Sequence, residues 1–311
     1  MSEVAAAPTP TIGFIGLGRM GSPMARLLAE GGHRVLGYDL SPEALAQLAG
    51  AGGTAVRSAG EAAAADVVVL MLPDSTVVTA VLRDDAVVSA LTPGRIVIDM
   101  SSSEPVRTRQ LAAELAQRGV HLVDAPVSGG VRGAQTGKLT IMVGGDTEIV
   151  DRVEPVLKLL GRPVRAGDVG AGHAVKALNN LMSATHLWVT SEAMVAGQRF
   201  GLDPEVMLSV FNGSSGRSGS TDNKWPNFIL PGSYDSGFGL RLMLKDMKIA
   251  TALARAVGVE PVLGDEAVEL WSHAADDLAA TADHTEVARW IASTALPPSD
   301  ANTARTEGET A

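Results

Sequence analysis

From Thr11 to about residue 165, short apolar runs alternate with stretches whose apolar residues recur at helical spacing. "TIGFIGL" reads as a strand and "MGSPMARLLAEGG" as a helix stopped by Gly31 and Gly32. "HRVLGYDL" is the next strand, and "SPEALAQLAGAGG" a helix with Ser41 as N-cap and Pro42 at its first position. A short strand "TAVRS", a helical "AGEAAAA" and the strand "DVVVLMLP" follow. Then come a helix around 75–90, the strand "RIVIDMS", a helix around 105–118, and the strands "HLVDAPV" and "LTIMVGG". Strands alternating with helices at this pace imply right-handed crossovers and a mainly parallel, doubly wound sheet.

The pattern changes near residue 165, after which the chain reads as helices to about Leu296. The stretch 171–200 is long and weakly charged, so the expectation is a helix buried nearly all round, between domains or between subunits. The expected organisation is a flexible arm at 1–10, an α/β domain at 11–168, an all-α domain at 169–296 and a disordered tail at 297–311.

The formal net charge of −10 argues against nucleic acid as a main partner, because a phosphate track needs concentrated Lys and Arg. With no cysteine, a thiol nucleophile and thiolate metal sites are excluded. The six histidines are scattered without metal-ligand spacing, so each reads as a surface or packing residue and no metal is expected. The longest apolar runs are too short to span a membrane, and the first ten residues do not resemble a secretory leader. A cytoplasmic protein is the expectation.

The candidate chemistry begins with Gly16-x-Gly18-x-x-Gly21, enclosing Leu17, Arg19 and Met20. The motif follows the first strand and opens a helix, so free N–H groups at that helix start face an incoming pyrophosphate. Asp39, at the end of the second strand, is placed to accept hydrogen bonds from a ribose and to repel a 2′-phosphate. No Arg follows at Leu40 or Ser41, so NAD is expected and NADP is less favoured. The loops at Leu72-Pro73 and around Ser102 lie at carboxyl ends of later strands, where the far side of such a site is built.

Lys176 stands in an otherwise nearly uncharged helix, with Asn180 four residues on and therefore on the same face. A lysine in an apolar site near a positive helix end has a lowered pKa, which suits an acid/base; the plain alternative is a lysine snorkelling from a buried helix. "DAPVSGG" ends a strand in Ser128-Gly129-Gly130, either a tight turn or a nest of amides able to bind a carboxylate. In "LMLKDMKIA", Lys245 and Asp246 either reach the cofactor cleft or pair with each other.

Taken together, "FIGLGRMGSPM" (14–24), "DAPVSGG" (124–130), "GAGHAVKALNN" (170–180) and "LKDMKIA" (244–250) resemble the β-hydroxyacid dehydrogenase family, in particular its 3-hydroxyisobutyrate dehydrogenase group, over residues 11–295. The resemblance implies a Rossmann domain, a long interdomain helix and an all-helical domain, assembled as a homodimer or homotetramer. It further implies Lys176 as acid/base, Ser128, Gly129, Gly130 and Asn180 around a small carboxylate substrate, and Lys245 at the cofactor, with Asp246 fixing the helix beside it. Leu72, Pro73 and Ser102 match cofactor-lining positions. The expected reaction is NAD-dependent oxidation of a small 3-hydroxy acid to its semialdehyde, or the reverse. The alternatives are a tartronate or succinic semialdehyde-type reductase and, in another class, a non-catalytic dinucleotide sensor. Lys224 and Trp225, in the less typical stretch 212–232, are candidates for tuning specificity.

Overall fold

The computed structural model describes residues 9–294; the expected arm, apart from its last two residues, and the expected tail lie outside them. The described residues form nine strands, the first eight from the apolar runs and the last from a polar stretch: β1 (Ile12–Ile15), β2 (Val35–Tyr38), β3 (Thr54–Ala55), β4 (Val67–Leu70), β5 (Ile96–Asp99), β6 (His121–Asp124), β7 (Val127–Ser128), β8 (Leu139–Gly144) and β9 (Gly161–Gly167). They pair in the order β3-β2-β1-β4-β5-β6-β8-β7, with β9 on β8. The first six run parallel in the order of a dinucleotide-binding sheet. β8 is antiparallel to β6 and β7, so the sheet is mainly parallel.

Both faces of this sheet are covered, which is why its central strands are apolar at every position rather than alternating. Ile12, Phe14, Val67, Val69, Ile96 and Ile98 face one layer, where Met24, Leu28, Val153 and Leu157 pack from two helices. Ile15, Val68, Leu70 and Val97 face the other, against Ala62, Leu111 and Leu115. Ser41 caps the second helix through Ala44 N, with Pro42 at its first position, as the sequence leads one to expect.

Several elements depart from expectation. The helix around 75–90 is two helices, Ser75–Leu82 and Asp85–Ala90, because Asp84 accepts the amides of Ala86 and Val87 and starts a new one. Within the single chain the helix Ala171–Phe200 is not buried all round by its own fold: Val175, Leu178, Met182 and Val189 are exposed at helical spacing. Around residues 220–229 the chain forms a wide π-helical turn instead of a loop.

Among the described residues, compactness divides the chain at Met182 rather than where the strands end. The first unit runs to Met182 and includes Leu242–Val268; the second contains Ser183–Arg241 and the chain from Glu269. The second unit is helical and centres on Trp188, whose ring lies 6.3 Å from that of Trp271 and 5.7 Å from that of Trp290. No helix among the described residues is long and apolar enough to cross a membrane.

Candidate active site

The glycine-rich turn joins β1 to the helix Gly21–Glu30. Gly16 has φ +99°, and a β-carbon there would lie 2.3 Å from Met71 O, so only glycine fits. A β-carbon on Gly21 would lie 1.9 Å from Gly16 O, which shows how closely helix and turn pack. Gly18 is different: a β-carbon there meets no protein atom within 4 Å. The protein does not need glycine at this position, but a ligand approaching the backbone does. The helix start has Met20 as N-cap with no side-chain cap; Ser22 N donates to Gly18 O and Pro23 carries no N–H, which leaves the amide of Gly21 for an anion.

Asp39 follows β2 and accepts Leu17 N at 2.6 Å and Ser41 N at 2.8 Å. Its carboxylate thus fixes the glycine turn while facing a cavity of about 480 Å³, lined also by Gly18, Arg19, Ser41, Glu43 and Gln47. Glu43 accepts the Ser41 hydroxyl at 2.7 Å, and that bond holds its pKa below the ordinary carboxylate value. The open Gly18, uncapped helix start and acidic cavity fit the diphosphate and ribose of NAD.

Lys176 is the sixth residue of its helix and is only 7% exposed. Burial pushes its ammonium below the ordinary lysine pKa; the Asp246 carboxylate pulls it back up and the Lys245 ammonium pushes it further down. Asn180, on the same face, donates from Nδ2 to Asp246 Oδ2 at 2.6 Å. Lys245 Nζ donates to Pro73 O at 3.1 Å and Ser102 O at 2.9 Å, and lies 3.5 Å from Asp246 Oδ1. Lys245 and Asp246 thus pair, and Lys245 bridges the loops after β4 and β5. These contacts bring Lys176, Asn180, Lys245, Asp246, Pro73 and Ser102 into one cluster, with Leu72 held beside it through Ser101.

Ser128 ends β7, and Gly129 and Gly130 follow with φ +124° and +59°, a turn that favours glycine. This turn starts four residues beyond Asp124, whose buried carboxylate accepts Gly170 N at 2.6 Å and His173 N at 2.8 Å. That side chain therefore ties the start of the helix carrying Lys176 to the end of β6. Burial pushes the Asp124 pKa up, against the opposing pull of His173 and the amide donors.

His173 is the residue the sequence understates. It is fully enclosed, with Nδ1 2.9 Å from Thr108 Oγ1 and Nε2 3.1 Å from Ser101 O. The signal in the sequence is its place three residues before Lys176, on the same helix. Lys224 and Trp225 belong to the second unit, where Lys224 Nζ donates to Ser183 Oγ at 2.7 Å and Trp225 is buried.

Residues 11–196 match the family described as the NAD binding domain of 6-phosphogluconate dehydrogenase. Residues 170–291 match the family described as NAD-binding of NADP-dependent 3-hydroxyisobutyrate dehydrogenase. The 3-hydroxyisobutyrate dehydrogenase of Pseudomonas aeruginosa is 41% identical, over 86% of this chain and 93% of its own length. The NAD-dependent L-serine dehydrogenase of the same organism is 39% identical, over 84% and 90%. Among solved structures, Mycobacterium tuberculosis 3-hydroxyisobutyrate dehydrogenase with L-serine has a TM-score of 0.86 and 35% identity, covering 91% of this chain and 99% of that one.

Proposed function

Because this chain belongs to the β-hydroxyacid dehydrogenase family, in its 3-hydroxyisobutyrate dehydrogenase group, we propose that it oxidises a small 3-hydroxy acid with NAD, using Lys176 as the acid/base. The observation that carries the reading is a buried lysine of lowered pKa, sharing a helix face with Asn180 and bordered by residues that bridge two cofactor-side loops.

Bound NAD supplies the hydride acceptor. Gly16–Gly21 and Asp39 hold its diphosphate and ribose, and Leu72, Pro73, Ser102 and Lys245 line its far end. The substrate carboxylate is received by the Ser128 hydroxyl and the backbone at Gly129 and Gly130. Neutral Lys176 accepts the hydroxyl proton at Nζ during oxidation and returns it to the carbonyl oxygen in reverse. Asn180 ties Asp246 to this helix face and so fixes the carboxylate that balances the lysine charge.

Two substrates are favoured by particular observations: 3-hydroxyisobutyrate by the P. aeruginosa relative, and L-serine by both the second relative and the ligand of the solved neighbour. Both are 3-hydroxy acids, and one substituent changes selectivity only modestly. The test is a screen of 3-hydroxyisobutyrate, L-serine, glycerate and 4-hydroxybutyrate with NAD+ and NADP+, followed by NADH absorbance. Turnover of a 3-hydroxy acid that disappears in Lys176→Ala supports the proposal; no turnover with any of them, alongside intact NADH binding, favours a dinucleotide sensor.

We also assign the protein to the cytoplasm as a homodimer or homotetramer. The first rests on the bacterial relatives, and the second on the exposed apolar stripe Val175, Leu178 and Met182.

A further inference from the structure

Asp99 and Asp124 end neighbouring parallel strands and are direct register partners, β5 beside β6. Both are buried, at 2% and 0% exposure, so two carboxylates stand side by side away from the surface. Such a pair persists only where every oxygen is engaged, and here each serves a different segment. Asp99 accepts Ser101 N at 3.0 Å and the Ser103 hydroxyl at 2.7 Å. It thereby shapes the loop in which Ser101 Oγ accepts Leu72 N at 2.9 Å and Ser102 O accepts Lys245. Asp124 instead holds the amides at the start of the Lys176 helix.

His173 stands between the two carboxylates. Its Nε2 lies 3.7 Å from Asp99 Oδ2 and its Nδ1 3.9 Å from Asp124 Oδ2. A ring nitrogen facing a carbonyl can only donate, so Nε2 donates to Ser101 O, in the cofactor-side loop. The other nitrogen shares the hydroxyl of Thr108, on the helix Pro105–Ala116. The backbone of the same residue is fixed by Asp124, and Lys176 follows three residues later.

We propose that His173 is a positioning residue that couples the cofactor-side loop (72–73 and 101–103) to the helix bearing Lys176. It touches neither the reacting atoms nor the nucleotide. Its ring makes the loop and the helix move as one piece, so that cofactor binding also sets the place of the lysine. This rests on the functional reading above for its effect on rate, but the coupling itself is measurable without turnover.

The experiment compares wild type, His173→Ala, His173→Gln and Leu115→Ala by amide hydrogen exchange with and without NADH, by NADH titration and by steady-state kinetics. Leu115 is buried two turns further along the helix that carries Thr108 and controls for a general loss of packing. In the wild type, NADH slows exchange both at the loop and at residues 170–180. In His173→Ala, NADH still binds within a few-fold and protects the loop, but protection of 170–180 is lost. With the substrate identified, kcat falls by roughly 10–100-fold with KM little changed, as expected when an acid/base group is displaced by about an ångström. His173→Gln, which keeps an N–H for Ser101 O, recovers most of the protection, and Leu115→Ala keeps both protection and kcat.

Equal protection of 170–180 in wild type and His173→Ala overturns the coupling, as does loss of protection in Leu115→Ala to the same extent. If no 3-hydroxy acid is turned over by any variant, the functional reading fails while the exchange data still decide the coupling.

Discussion

Replacing Gly18 by Ala separates what the glycine turn does for the protein from what it does for the nucleotide. The added methyl group meets no protein atom within 4 Å, and Gly18 lies outside the positive-φ set, so the fold has room for it. Removing a glycine from the unfolded chain stabilises by about 0.4–1 kcal/mol where the native backbone accepts Ala. For a unit of this size the melting temperature should therefore stay level or rise by roughly 1–3 °C. The space the methyl group enters is the space a diphosphate needs if it is to approach the backbone. A methyl group that keeps the diphosphate from its amide donors costs roughly 3 kcal/mol, which is about a hundredfold in affinity. Thermal unfolding by circular dichroism and NADH fluorescence titration read the two effects separately. Gly21→Ala is the opposite control, since its methyl group would fall 1.9 Å from Gly16 O and must destabilise the domain. Undiminished NADH affinity in Gly18→Ala refutes the placement of the diphosphate on this turn.

Lys176→Ala should lower kcat by at least about 10²–10⁴ while NADH affinity changes little, as measured by single-turnover absorbance and titration. The oxidation rate of the wild type should rise with pH through a pKa below that of an ordinary lysine, because only the neutral amine accepts a proton. Asp246 holds that pKa up, so Asp246→Asn should move the rising limb to lower pH; a move to higher pH contradicts the arrangement. Asp39→Ala should raise the NADP+/NAD+ ratio of kcat/KM, but the Glu43 carboxylate in the same cavity should keep NADP+ the poorer substrate until Glu43→Gln is added. In the second unit burial lowers the Lys224 pKa from 10.5 to about 8, which corresponds to roughly 3 kcal/mol. The unfolded chain then holds the extra proton between these values, so stability should rise from about pH 8 to 10.5, and urea titrations of Lys224→Met should lack that rise.

The parts readable from sequence are those in which one short segment carries its own constraint. Gly16, Gly18 and Gly21 show their separate uses because the turn, the approach and the packing lie within six residues, and Asp39 ends the very next strand. Lys176 and Asn180 are legible because four residues along a helix mean one face. The strand β9 is harder to read because its side chains alternate between half-buried and exposed on a polar sequence, giving no continuous apolar run. The break at Asp84 looks like ordinary helix until its carboxylate is seen to cap a new start. The Asp99–His173–Asp124 arrangement joins positions more than seventy residues apart, and strand-end aspartates carry no mark of their partners. Its pattern arises only when neighbouring strands fall into register.

The return of Leu242–Val268 to the first unit has a consequence during synthesis. When the last strand of the sheet has left the ribosome, roughly eighty residues still separate it from Lys245, or about 4–16 s of translation at 5–20 residues per second. Throughout that interval the nascent sheet carries a cleft whose closing segment does not yet exist. Nucleotide arriving early meets half a binding surface, and the mature centre appears only once Lys245 has emerged.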